Sequence, residues 1–263
     1  MSEYHRHLQC DQMVNEITVP AYMKYVMGFA IVRLDTQTEY VFNTGDSEVG
    51  MSILTGSCDV MADGQTFVNV GSRRNVFDGL PTGVYVPRNS DVKLVGSDAT
   101  VALCKSHAAR KSEAKLITPD EVKVTSVGKD NWQREVRIVI GPDGASENLI
   151  LGETLNPAGN WSGTPPHRHE SVNPPEESRH EELYYFKTEK PQGWGIQRFY
   201  SPERSINELI YLHEGTVTFM PWGYHQIVAA PGYNLYYLFF LSGVGKELIG
   251  CEDPDHCWIR DES

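Results

Sequence analysis

Short runs of β-branched and aromatic residues, each closed within a few positions by glycine, asparagine, aspartate or proline, recur along almost the whole chain. In the first half they occupy 28–34, 39–43, 52–54, 58–61, 66–70, 83–87, 92–95 and 100–105. Turn residues separate them at Asn43-Thr44-Gly45-Asp46, Leu54-Thr55-Gly56-Ser57, Ala62-Asp63-Gly64, Asp78-Gly79-Leu80-Pro81 and Arg88-Asn89-Ser90-Asp91. Strands of this length and spacing predict a sandwich or barrel. A small, charged and polar stretch over 106–121 then changes the composition and reads as a connector. The strand pattern resumes at 122, 135–140, 149–155, 207–212, 216–219, 226–230 and 235–241. The expected fold is all-β, in two barrel or sandwich halves, 1–115 and 116–263.

The second half carries the chemistry. Pro165 and Pro166 exclude a helix interior and bias the chain before them to extended geometry. His167 and His169 follow directly, two apart, so on an extended backbone both imidazoles face the same way. A polar loop leads to Glu181-Glu182-Leu183-Tyr184-Tyr185-Phe186, which reads as another strand. His225 follows the turn Pro221-Trp222-Gly223-Tyr224. Three imidazoles and a carboxylate suit a divalent transition ion such as Zn, Mn, Fe, Ni or Co. The loop 170–180, with Pro174-Pro175-Glu176-Glu177, reads as a solvated surface loop or as a lid, since metal ligands flank it. His5 and His7 repeat the His-x-His spacing but have no partner motif, which predicts a frayed end. Between them and His107 the first half has no histidine, so this half is expected to hold no metal. Cys251, His256 and Cys257 match no zinc spacing and read as an ordinary tail.

Composition narrows the partners. The net charge of −12 argues against nucleic acid or an anionic membrane. No apolar run approaches the ~20 residues of a membrane span, and no apolar core follows Met1-Ser2-Glu3-Tyr4-His5-Arg6-His7 as in a signal peptide. Five scattered cysteines suit a reducing cytoplasm.

The spacing Gly215-x5-Pro221-x-Gly223-x-His225, after His-x-His and a strand-borne Glu, resembles a cupin metal site. Two departures narrow it: 12 residues, longer than the usual cupin interval, separate His169 from Glu182, and one residue rather than two separates Gly223 from His225. The stretches 159–169, 181–186 and 221–238 resemble the 5-deoxy-glucuronate isomerases of bacterial myo-inositol catabolism. Val76-Phe77-Asp78-Gly79-Leu80-Pro81 and Val84-Tyr85-Val86-Pro87 are similar to that family's first half, and the likeness runs from about 25 to 250.

The resemblance implies a bicupin, with His167, His169, Glu182 and His225 as metal ligands in its C-terminal half. The family's carboxylate directly precedes the Leu-Tyr pair, hence Glu182 rather than Glu181, and His180 is not among the ligands. The implied reaction converts 5-deoxy-D-glucuronate, an aldose, into 5-dehydro-2-deoxy-D-gluconate, a ketose acid. Four protein ligands plus substrate favour an ion that exceeds four-coordination, Mn or Fe over strictly tetrahedral Zn. Tyr184 shares the face of Glu182 and is the first candidate to hydrogen-bond sugar. The carboxylate of a small anionic sugar acid should meet an arginine. Arg168, between two ligands, points away, which leaves Arg179 first and Arg198 second. The alternatives are the sister isomerase acting on a 4-deoxy-5-keto uronate from pectin, a cupin dioxygenase, and a sugar-binding cupin without turnover. Analogy with other bicupins suggests a homo-oligomer.

Overall fold

A computed structural model of the chain describes residues 3–261. Its strands form two packed bodies. In the first, the long strand Ser47–Ala62 runs antiparallel to the equally long Asp91–His107. Val14–Ile17, Val26–Leu34, Glu39–Asn43, Gln65–Val70, Thr82–Val86 and Lys115–Ile117 complete that sheet. In the second, Glu177–Thr188 lies between Leu235–Gly243 and Thr216–Met220, with Leu149–Asn156, Arg134–Ile140 and Lys123–Val127 extending the sheet. Facing it are Asn207–Leu212, Gly195–Tyr200, Tyr224–Ala229, Trp161–Arg168 and Cys251–Glu252. The helical pieces are single turns: Pro119–Glu121, Asp130–Trp132 and Trp258–Asp261.

One turn signal in the first half, Leu54-Thr55-Gly56-Ser57, proves to be a bend inside a continuous strand. The segments at 52–54 and 58–61 belong to one strand, and so do those at 92–95 and 100–105. Gly56, at φ +69°, and Asp98, at φ 54°, sit in facing irregularities of that pair. A Cβ on Gly56 would lie 2.0 Å from the Asp98 carbonyl oxygen, so glycine alone allows the two backbones to approach there. Both strands bend together and close the barrel.

The sheets also divide the chain differently from a cut at 115. That position opens the strand Lys115–Ile117, which pairs with Thr82–Val86 in the first body; the crossing follows at the turn Pro119–Glu121. The opposite end is exchanged. His5–His7 is not frayed: it pairs with Thr216–Met220 in the second barrel, and Tyr4 is buried in that barrel's core.

The register exposes a duplication that residue identity conceals. Glu48 pairs with Ser106 and Val49 with Val86; Glu181 pairs with Ser242 and Glu182 with Met220. Pro87 and Pro221 follow the equivalent strands, and Asn89 and Gly223 both adopt positive φ two residues later. Val49 and Asp91 therefore occupy in the first barrel the places of Glu182 and His225 in the second. An apolar side chain replaces the carboxylate, which removes the anionic ligand from the N-terminal copy. The interface uses the same equivalence. Ser106 and Ser242 hydroxyls meet at 2.6 Å. Glu181 accepts the backbone N–H groups of Lys24, Tyr25 and Val26, while Glu48 accepts those of Glu147, Asn148 and Leu149. Each carboxylate thus holds the other body's chain through charge-assisted bonds.

Candidate metal centre

Two of the imidazoles come from one sheet of the C-terminal barrel and the third from a hairpin, while Glu182 comes from the facing sheet. His167, near the end of Trp161–Arg168, pairs across the sheet with His225 on Tyr224–Ala229, and their rings lie 5.0 Å apart. His169 follows at the start of a hairpin formed by Glu170–Asn173 and Glu177–Thr188. The polar stretch 170–180 is thus mostly paired backbone. Glu177 fastens its base by accepting the N–H groups of Glu170 and Ser171. Glu170 in turn accepts the N–H of Gly223 at 2.7 Å, tying the hairpin to the turn before His225. Gly223 has φ +83°, and a Cβ there would lie 2.7 Å from the Tyr200 carbonyl oxygen, so no larger residue fits the turn without strain.

Each histidine has a backbone carbonyl for one ring nitrogen: His180 for His169 Nδ1 at 2.8 Å, Gly223 for His225 Nδ1 at 3.4 Å, and Pro165 for His167. Such contacts fix the tautomer and turn the other nitrogen toward the centre. The Nε2 atoms of His169 and His225 both stand 3.1 Å from the same oxygen, Glu182 Oε2. His225 Nε2 is buried without a hydrogen-bond partner. Ligand atoms of the three histidines lie within 4.8 Å of one another. Donors about 2.0–2.2 Å from an ion and at right angles stand roughly 3 Å apart, so the residues fit a divalent cation. Burial lowers the pKa of His167 to about 3, helped by the neighbouring imidazoles, which leaves a free lone pair at neutral pH. Burial alone would raise Glu182, but the hydrogen bond from His169 and the charges of His169 and His225 hold it well below the usual carboxylate range. His169 is raised because the Glu182 contacts outweigh desolvation.

The remaining candidates separate by face. Tyr184, two residues beyond Glu182, is buried in the same chamber with its ring 5.8 Å from that of His225 and 4.8 Å from that of Tyr237. Burial, reinforced by Glu182, pushes its phenol well above the ordinary value. It is a hydrogen-bond donor and not a base. Arg179 lies on the opposite face of the strand, exposed, with its guanidinium 5.8 Å from the Tyr25 ring. Arg198 points outward, stacked 4.1 Å over Tyr200 and donating to Asn207. The cluster includes neither. Arg168 is paired with Glu170 and Glu177. His180 is buried, its ring nitrogens 3.3 Å from Ser178 Oγ and 3.3 Å from the Gly245 carbonyl oxygen.

Two polar side chains of this chamber escaped sequence reading. Gln197 is fully buried and its Oε1 has no partner; Arg134 has a buried Nε without one. Arg134 could have been noticed as a charge in phase with Val136 and Ile138 on one strand face. Gln197 lies in a strand, Gly195–Tyr200, that the turn signals did not delimit. The C-terminal tail is also more than ordinary. Cys251–Glu252 pairs with His167 and Arg168, and buried Asp253 accepts from Tyr200 Oη at 2.6 Å and Arg204 at 2.7 Å. Gly250 brings its backbone against the His167 ring, where a Cβ would be 3.0 Å away.

Two fused barrels, one enclosing three histidines and a carboxylate, define a bicupin equipped to hold a metal. Residues 3–259 match the KduI/IolB family, and the chain belongs to that family. It is 33% identical over 237 residues to a 5-deoxy-glucuronate isomerase of Geobacillus thermodenitrificans, covering 89% of this chain and 86% of the relative. It is 32% identical over 251 residues to the enzyme of that name from Bacillus subtilis, covering 94% and 93%. The crystal structure of an IolB-like protein from Salmonella typhimurium superposes with a TM-score of 0.94 at 26% identity, over 98% of this chain and 100% of the other. An oxalate decarboxylase of Bacillus subtilis, studied for its Mn(II) centres, shares the fold at a TM-score of 0.64 and 12% identity, over 96% and 80%.

Proposed function

We propose that this protein is a metal-dependent aldose–ketose isomerase converting 5-deoxy-D-glucuronate into 5-dehydro-2-deoxy-D-gluconate. The observation that carries the reading is the sharing of Glu182 Oε2 by His169 and His225, each 3.1 Å away, inside a barrel of this family. The reaction moves a proton from C2 to C1 and another from the C2 hydroxyl to the carbonyl oxygen. A divalent cation bound there supplies Lewis acidity for the aldehyde and its neighbouring hydroxyl. His167, His169, His225 and Glu182 would hold it. Four protein ligands plus substrate call for an ion that exceeds four-coordination, which favours Mn or Fe over Zn.

The chain's own contribution is orientation, dryness and hydrogen bonding. The buried Tyr184 hydroxyl stays protonated and donates to a substrate oxygen as negative charge builds there. The aromatic wall of Tyr184, Phe186, Phe199 and Tyr237 excludes water and strengthens each polar contact. No helix of the described residues is long and apolar enough to cross a membrane, and all five cysteines are free thiols. We infer action in the cytoplasm on a small anionic sugar acid, without nucleic acid or membrane, and, by analogy with other bicupins, as a homo-oligomer, which the mass in solution tests.

Turnover of 5-deoxy-glucuronate by protein as purified, stripped by chelator and restored with Mn, Fe or Zn tests the reading. Loss of the aldehyde signal that disappears with the metal and returns with it is expected. One ion bound per chain with no ketose formed in any state would discard the substrate. The 4-deoxy-5-keto uronate and an oxygen electrode would then be tried.

A further inference from the structure

Within that isomerase reading, we infer that Arg134 is the anchor for the substrate carboxylate, at the end of the chamber away from the metal ligands. Arg134 opens the strand Arg134–Ile140. Strand alternation places it in phase with Val136 and Ile138, which pack against the core that contains Tyr184 and Tyr237. Its guanidinium acts electrostatically on both tyrosine hydroxyls, and Glu182 acts on the same two. The tyrosines thus link the carboxylate of the metal cluster to the cation.

Arg33, Arg179 and Arg198, like Arg134, lack an acid, but among the described arginines only Arg134 combines that lack with a buried, unpartnered guanidinium nitrogen. Arg73 has Glu153, Arg137 has Glu135, Arg168 has Glu170 and Glu177, and Arg204 has Asp253 and Asp255. Among the described residues Arg134 has no ion pair. Its one hydrogen bond is a long 3.4 Å contact from Nη1 to the Trp132 carbonyl, and its Nε is buried and unpartnered. Burial disfavours its charge, with only the tyrosines opposing that effect. A half-buried arginine without a carboxylate costs stability for no structural return. A guanidinium fork is shaped to receive a carboxylate in two parallel bonds. The substrate has one at C6, the opposite end of its carbon chain from the C1 aldehyde that the ligand cluster must receive. One end at Glu182 and the other at Arg134 would fix C1 and C2 at the metal and reject neutral sugars.

The test is calorimetric titration of Mn-loaded protein with 5-deoxy-D-glucuronate and with 5-deoxy-D-glucose, which carries an alcohol at C6. Parent protein, Arg134→Met and Arg134→Lys are compared. Arg134→Met should weaken binding of the acid about 10- to 100-fold and leave the neutral sugar unchanged. Arg134→Lys should restore part of the difference. The melting temperature separates the structural alternative: a structural arginine loses stability on replacement by Met, whereas this one should hold or gain it. Equal binding of the acid by parent and Arg134→Met, no binding of the acid by the parent, or equal losses for both sugars would overturn the assignment. Tight, Arg134-dependent binding without turnover would retain the anchor and remove the isomerase reading.

Discussion

Arg73→Met should be among the most damaging single substitutions outside the metal centre. Glu153, fully buried in the second barrel, accepts from Arg73 Nη1 at 2.8 Å and Nη2 at 2.5 Å, Ser52 Oγ at 2.9 Å and Tyr236 Oη at 2.8 Å. Arg73 and Ser52 belong to the first barrel, so this cluster crosses the interface. Arg73 also donates Nε to the carbonyls of Ile53 and Leu54. Burial opposes its charge, but Glu153 more than compensates and raises its pKa. Methionine fills much of the stem's volume and leaves an uncompensated carboxylate, a loss of about 3–5 kcal/mol. With a urea dependence of about 2–3 kcal/mol per molar, the unfolding midpoint should fall by about 1–2.5 M. Adding Glu153→Gln removes the stranded charge and keeps an acceptor for Ser52 and Tyr236, so the double variant should recover at least half of the loss. A single-variant shift below about 0.3 M, or a double variant no better than the single one, would refute the reasoning.

Other outcomes follow from the centre and its surroundings. His167→Ala should lose bound metal and at least about 100-fold in activity while its circular dichroism stays that of the parent; full activity would remove His167 from the site. Tyr184→Phe should keep its metal and lose about 100-fold in kcat, and an unchanged kcat would exclude its hydroxyl as a donor. Burial and the His169 charge lower the His180 pKa to about 4, against an unfolded value near 6.5. The unfolded chain therefore binds the extra proton first. The contribution of a neutral His180 is intact above pH 6.5 and declines by roughly 3 kcal/mol as pH falls to 4. Denaturation of metal-stripped protein should show His180→Gln losing less stability than the parent between those pH values; parallel curves would contradict it. His169 acts with the opposite sign: its raised folded value gives stability present at low pH and lost as pH rises through it, equally in both proteins.

The all-β class was legible because strand alternation and turn chemistry are local properties, written in residues such as Gly64, Asp78 and Asn89. The His-x-His stretch, the glycine turn and the Leu-Tyr strand could be read for a similar reason. Each needs only a few neighbouring positions to set its face. The turn signal failed where it marked a bend: Gly56 breaks no strand, because Asp98 bends beside it in a partner 42 residues away. The duplication was hidden because pairing register, and not residue identity, preserves it; Val49 at the place of Glu182 shares no chemistry with its counterpart.

By itself, then, the sequence determined which side chains could ligate a metal and that strands would carry them. Only the tertiary structure decided that Glu182 faces His169 and His225 together, that Arg179 and Arg198 turn outward, and that Arg134 turns in. It also decided that His5–His7 completes the opposite barrel. A side chain's face follows from alternation along one strand, but what it meets there depends on strands brought together across the whole chain by burial of a common core.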